Sequence, residues 1–237
     1  MQQKFKGKYV SILGDSISTL DGYNPAGYGI YYGCKSKINN DVQDFKDTYW
    51  GKLLDYLNAN LLVNNSYSGS TVVQEFKEMD FPTSVSPVRI NHLNSDTQEP
   101  DLIIFYMGAN DYYRNKPCEY NFESKFDFVG AYYYTLNELL SRYPKAEIWC
   151  ITFPCGYEIN SNEVYGRKNS YGTPKEKYID AIIDVVSEVD SERVLLLDLH
   201  VLNRYYETKD GVHPTKKGMD DLFEMIKLSI NKSHTKT

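Results

Sequence analysis

Long apolar runs are missing from this 237-residue chain. No stretch approaches the roughly 20 apolar residues that span a bilayer, so a helical membrane span is not expected. A basic excess is missing too: 26 Lys and Arg stand against 32 Asp and Glu, for a net charge of -6. Phosphate backbones and anionic lipid repel such a chain, and nucleic acid is not an expected partner. Metal-ligand spacing is lacking as well. Cys34, Cys118, Cys150 and Cys155 form no Cys-x-x-Cys pair, and His92, His200, His213 and His234 are scattered. No metal and no other cofactor is therefore expected, and the cysteines read as buried thiols. The first residues, "MQQKFKGKYV", carry positive charge but no apolar stretch before the first strand. That predicts a cytoplasmic protein without a signal peptide, with secretion left open if a leader once preceded it. Internal repeats and low-complexity linkers are absent from the pattern. With 41% hydrophobic and 24% charged residues, one domain over 1–237 is expected. The oligomeric state is not legible.

Tyrosine is abundant, at 22 residues. A tyrosine pairs a flat apolar face with a hydroxyl, which suits a sugar or a protein partner, although compositional bias gives the same count.

Apolar runs of strand length alternate with helix-length amphipathic stretches. Strands are expected at Lys8–Leu13, Asn60–Ser66, Pro100–Gly108, "AEIWCITF" and "RVLLLDL". In "DTYWGKLLDYLNA", Trp50, Leu53, Leu54 and Leu57 fall on one helical face. Further helices are expected from Glu123 to Tyr143, over "TPKEKYIDAIIDVVSEV" with its proline in the first turn, and from Pro214 to about Asn231. Alternation over five strands predicts an α/β fold with a mostly parallel sheet covered on both faces. Two segments, Asp21–Asp47 and Pro154–Thr173, lack periodicity and are expected to border the site.

Ligands of such sheets sit at the carboxyl ends of the strands. The polar residues there are Asp15-Ser16, Ser66 to Ser70, and Gly108 to Asp111. Near the C-terminus, "KDGVHPTKKG" places Asp210 three residues before His213. Taken singly, Ser16 reads as a helix cap and His213 as a locally bonded loop residue. Taken together they supply a nucleophile, a base and an orienter for that base. Backbone N–H groups at Ser16 and Gly69 and the Asn110 amide are candidate donors to an oxyanion. Asp15 reads as a loop brace, Asp111 as a helix cap or a loop brace, Asn65 and Tyr67 as residues that position Gly69, and Ser18 as a plain capping or structural serine.

These blocks resemble the SGNH hydrolases, also called GDSL-type esterases and lipases. The blocks are "GDSIS" with Ser16, "NSYSGST" with Gly69, "GAND" with Asn110, and "DGVHP" with Asp210 and His213. All four stand in the family's order, with Ile17 where the family name has leucine. The resemblance implies a flavodoxin-like three-layer α/β/α sandwich with a five-stranded parallel sheet. It further implies a Ser16–His213–Asp210 triad and an oxyanion hole from Ser16, Gly69 and Asn110. The expected substrate is a small-molecule or carbohydrate ester, with Tyr23, Tyr28, Tyr31 and Tyr32 at the mouth leaning towards an acetylated sugar. A lipase, a thioesterase, an acyltransferase or a silent binding module on the same scaffold stays open.

Overall fold

The protein is described by a computed structural model covering residues 2–75, 82–160 and 164–233. Of the residues named above, His234 and positions 161–163 of the second aperiodic segment lie outside these. A short helix α1 (Gln2–Phe5) leads into strand β1 (Tyr9–Gly14). Helix α2 (Tyr49–Leu57) and strand β2 (Asn60–Ser66) follow. Then come α3 (Pro87–Ile90), β3 (Leu102–Tyr106), α4 (Ala109–Tyr113) and α5 (Phe128–Arg142). Strands β4 (Glu147–Ile151), β5 (Gly156–Glu158) and β6 (Val164–Tyr165) precede α6 (Glu176–Val189). The chain ends through β7 (Val194–Leu197), β8 (Tyr206–Thr208) and α7 (Lys216–Ser233).

The five main strands pair in parallel in the order β2-β1-β3-β4-β7. That is the flavodoxin-like order, and its direction reverses between β1 and β3. All five residues of β3 are buried, as a strand covered on both faces requires. Helix α2 packs against α7, and α5 packs against α6, completing three α/β/α layers. The amphipathic reading of α2 holds: Trp50, Leu53, Leu54 and Leu57 are all buried. Its start is set by Thr48, whose hydroxyl accepts from the Gly51 N–H at 2.9 Å.

Three helix starts differ from the sequence reading. The helix expected from Glu123 begins at Phe128, because the Asp127 carboxylate caps it through the Val129 N–H at 3.0 Å. The other carboxylate oxygen of Asp127 takes the Glu119 N–H, so the preceding residues are held in turns. Pro174 stands before α6 rather than in its first turn and forms a bridge with Lys168. Pro214 likewise bridges Thr208, and α7 begins at Lys216. A second sheet, β6-β5-β8, was not expected at all. Its strands are two or three residues long, too short to leave a period in the sequence. It matters for the site because β8, and not the fifth main strand directly, delivers the chain to Asp210 and His213.

Candidate active site

Strand β1 ends at Gly14, where a side chain has no room: a Cβ would lie 2.6 Å from Ser18 Oγ and 2.7 Å from Ser66 Oγ. The next turn is a short 3-10 helix, Ser16–Ser18, and its cap is Asp15. The Asp15 carboxylate accepts from the Ile17 N–H at 3.0 Å. The capping role expected of a serine here is therefore taken by its neighbour. Burial pushes the Asp15 carboxyl up to about 6, against the pull of the Ile17 N–H and of His213 and Arg89. Of the two readings of Ser18, the structural one fits: it is buried, and its hydroxyl meets the Tyr49 hydroxyl at 2.7 Å.

The Ser16 hydroxyl, on a residue only 5% exposed, lies 2.9 Å from His213 Nε2. On the far side of the ring, Nδ1 lies 2.7 Å from Asp210 Oδ2. The other Asp210 oxygen accepts from the backbone N–H groups of His213 at 2.7 Å and Val212 at 3.0 Å. Asp210 thus curls over the loop that carries His213 and fixes both its backbone and its ring. Partial burial alone would raise the Asp210 carboxyl, but the His213 contacts outweigh it and hold it down at about 2. A hydroxyl bonded to an imidazole whose second nitrogen rests on a carboxylate is an arrangement for nucleophilic attack.

Gly69 has φ 82°, a left-handed backbone that glycine adopts without strain. Among the described residues, neither the Ser16 nor the Gly69 N–H has a hydrogen-bond partner. Asn110, in the first turn of α4, donates from its amide to the Ser70 carbonyl at 3.1 Å and to Asp15 Oδ2 at 3.5 Å. It therefore links the residue before Ser16 to the residue after Gly69. Asp111 reaches the same turn from below, accepting from the Val72 and Val73 N–H groups at 2.8 and 2.9 Å. Burial drives the Asp111 carboxyl up to about 7, with those two N–H groups pulling it down. The Asn65 amide braces α3 and the loop after it, donating to the carbonyls of Val88, Arg89 and His92.

Two residues of this region were missed from the sequence. Arg89 is fully buried, and its guanidinium donates to Ser70 Oγ and to the carbonyls of Gly14, Asn65 and Pro82. An arginine in the apolar stretch "PVRI" was the available signal. Tyr31 was expected at the mouth; instead it is buried, with its ring stacked on His213 at 3.6 Å and 9°. Tyr32 is buried too, and Tyr23 packs on Phe45 and Trp50. Tyr31 thus meets the base from within the fold, and Tyr28, half-buried, lies 4.5 Å from the ring of Tyr67. Among the described residues, no group of three or more His, Cys, Asp or Glu is placed to hold a metal ion, and no helix is long and apolar enough to cross a membrane.

The model of the GDSL-like lipase/acylhydrolase family matches residues 8–230. The chain belongs to that family. It is accordingly an ester-hydrolysing enzyme. Among solved structures, it is similar to a GDSL-like lipase from Bacteroides ovatus, with 27% identity over 96% of this chain and 99% of the other, at a TM-score of 0.74. A GDSL-like lipase from Bacteroides uniformis is 28% identical over 95% of this chain and 96% of that one, at a TM-score of 0.72. A family two carbohydrate esterase from Clostridium thermocellum, solved with cellohexaose, shares the fold at 15% identity, covering 98% of this chain and 66% of its own, with a TM-score of 0.60. No curated protein matches the sequence.

Proposed function

We propose that this GDSL-family enzyme is a serine esterase that removes short acyl groups, acetyl above all, from carbohydrate esters through an acyl-enzyme. The observation that carries the reading is the continuous chain from Ser16 Oγ through His213 to Asp210, at 2.9 and 2.7 Å. His213 Nε2 accepts the serine proton as Oγ attacks the ester carbonyl. The carbonyl oxygen, now negative, is met by the Ser16 and Gly69 N–H groups and the Asn110 amide, each worth roughly 3–4 kcal/mol of barrier. Collapse breaks the bond to the alcohol, which leaves with the proton held by His213. Water then attacks the acyl-enzyme with His213 again as base, releasing the acid and restoring Ser16. Asp210 keeps Nδ1 protonated and the ring aimed throughout.

The substrate side rests on Tyr28 and Tyr67. Their rings lie against each other beside the Gly69 turn, and the Ser68 N–H donates to the Gly29 carbonyl at 2.9 Å. Tyr67 is buried and backs the half-buried Tyr28, whose ring and hydroxyl offer a sugar a flat face and a hydrogen bond.

The test is a series of p-nitrophenyl esters from acetyl to dodecanoyl, with Ser16→Ala as control, followed by O-acetylated sugars. A steep preference for acetyl, lost in Ser16→Ala, is expected. Activity that survives Ser16→Ala overturns the mechanism, and a preference for long chains replaces the deacetylase with a lipase. Transfer of acetyl to an added sugar in preference to water identifies an acyltransferase.

A further inference from the structure

We propose that Tyr31 is a positioning residue of the active site, whose ring holds the His213 imidazole in the one orientation that joins Ser16 to Asp210. This rests on the reading of Ser16 and His213 given above. Tyr31 lies along the whole pair. Its ring covers the imidazole, centroid to centroid at 3.6 Å and 9° from parallel, and its hydroxyl lies 3.3 Å from Asp210 Oδ2. That is the same oxygen that meets His213 Nδ1 at 2.7 Å.

The need for such a rail follows from the loop. Asp210 and His213 sit three residues apart in a turn, and the Asp210 side chain is 45% exposed. An imidazole held only by its own turn can rotate about its Cβ–Cγ bond, which would break both of its bonds at once. A stacked ring removes that rotation without occupying either nitrogen. The electron-rich face of a phenol also favours the imidazolium that forms when the serine proton is taken. Burial and the neighbouring Asp210 push the Tyr31 phenol well up, so the hydroxyl stays protonated and donates.

Tyr31 is itself fixed by the nucleophile's own turn. Its N–H donates to Thr19 Oγ1 at 2.9 Å, and that hydroxyl donates to the Ser16 carbonyl at 2.8 Å. One threonine thus sets the backbone of Ser16 and the backbone of Tyr31 together. The adjacent Tyr32 donates its hydroxyl to the Pro214 carbonyl at 2.9 Å, gripping the residue after His213. The segment from Asp21 to Asp47, without pattern in the sequence, therefore furnishes the stacked ring that stands beside the Asp210 bond within the base's own loop.

The test compares Tyr31→Phe with Tyr31→Leu, using p-nitrophenyl acetate and active sites counted from the pre-steady-state burst. Phenylalanine keeps the flat face, and kcat within about threefold of wild type is expected. Leucine removes the face, and a loss of kcat on the order of 10²-fold with KM changed less than threefold is expected, the scale of a small misplacement of a catalytic group. Tyr31→Met, whose flexible thioether fills the same gap, serves where leucine does not fold. In parallel, the low-field proton NMR signal of His213 Nδ1–H should persist in Tyr31→Phe and broaden into water exchange in Tyr31→Leu. Equal kcat per active site in all variants, or an unaltered low-field signal in Tyr31→Leu, overturns the proposal. The NMR comparison needs no substrate. A wild type without Ser16-dependent hydrolysis would thus defeat the esterase reading while the Tyr31 contact is still judged on its own.

Discussion

The Arg89 guanidinium donates to the carbonyl of Gly14, the last residue of the first strand, at 2.7 Å. It serves the end of the second strand as well, through the Asn65 carbonyl at 2.9 and 3.2 Å. A fully buried cation is thus bonded to carbonyl and hydroxyl oxygens beneath the turns that carry Ser16 and Gly69. Burial lowers its affinity for the proton to about 10, which leaves it charged at neutral pH.

Arg89→Met is expected to destabilise the protein by roughly 3–5 kcal/mol, because it strips several buried oxygens of their donor at once. Urea unfolding monitored by far-UV circular dichroism measures this. A loss below about 1 kcal/mol would mean that water replaces the guanidinium, and the bracing role would fall.

Asn110→Ala is expected to lower kcat by about 10²–10³-fold, with KM little changed, because an oxyanion donor acts mainly in the transition state. Its amide gives up one neutral bond, to the Ser70 carbonyl, and a long one to Asp15 at 3.5 Å, so the accompanying loss of stability should be only about 1–2 kcal/mol. Steady-state kinetics beside a thermal melt separate the two effects. An unchanged kcat removes Asn110 from the oxyanion hole.

Asp111 and Asp15 give stability a pH dependence opposite to that of a salt-bridged carboxylate. Burial raises both above the ordinary 3.8, to about 7 and about 6. Between 3.8 and those values the folded state holds protons that the unfolded chain has released, so stability falls as pH rises through that window. Asp210 works the other way, held at about 2, and its contribution is lost only as pH drops from about 4 towards 2. In Asp111→Asn the decline between pH 5 and 7 should become shallower by up to one proton, about 1.4 kcal/mol per pH unit. Urea unfolding at three pH values checks this, and an unaltered slope would show that Asp111 is already ionised throughout.

Much of the scaffold was legible because the three central strands are buried on both faces and leave unbroken apolar runs. Strand β2 runs from Asn60 to Ser66, the bounds expected from the run that follows the amphipathic helix. Three of the motif blocks were legible because glycine and small polar residues close an apolar run, and the fourth because Asp210 stands three residues before His213. The structure brings Ser16, His213 and Asp210 into one bonded chain and ties Asn110 to the turns on either side. Tyr31 and Arg89 were illegible for a shared reason: each acts through a tertiary contact that no local period encodes. In "GYGIYYG" Tyr31 is one tyrosine among several, and only the packing of His213 distinguishes it from Tyr28. The boundaries at Pro174 and Pro214 slipped because a proline that suits a first helical turn also suits a bridge just before it.

The Ser16 hydroxyl and the imidazole that meets it are 197 residues apart in the chain. Loop-closure entropy grows only with the logarithm of length, so this separation costs little more than a short one. What it forgoes is locality. The serine follows the first strand and its base follows the last, with the other four strands of the main sheet between them. No fragment short of nearly the whole chain holds both, so chemistry at Ser16 becomes available only once the two ends of the chain have come together.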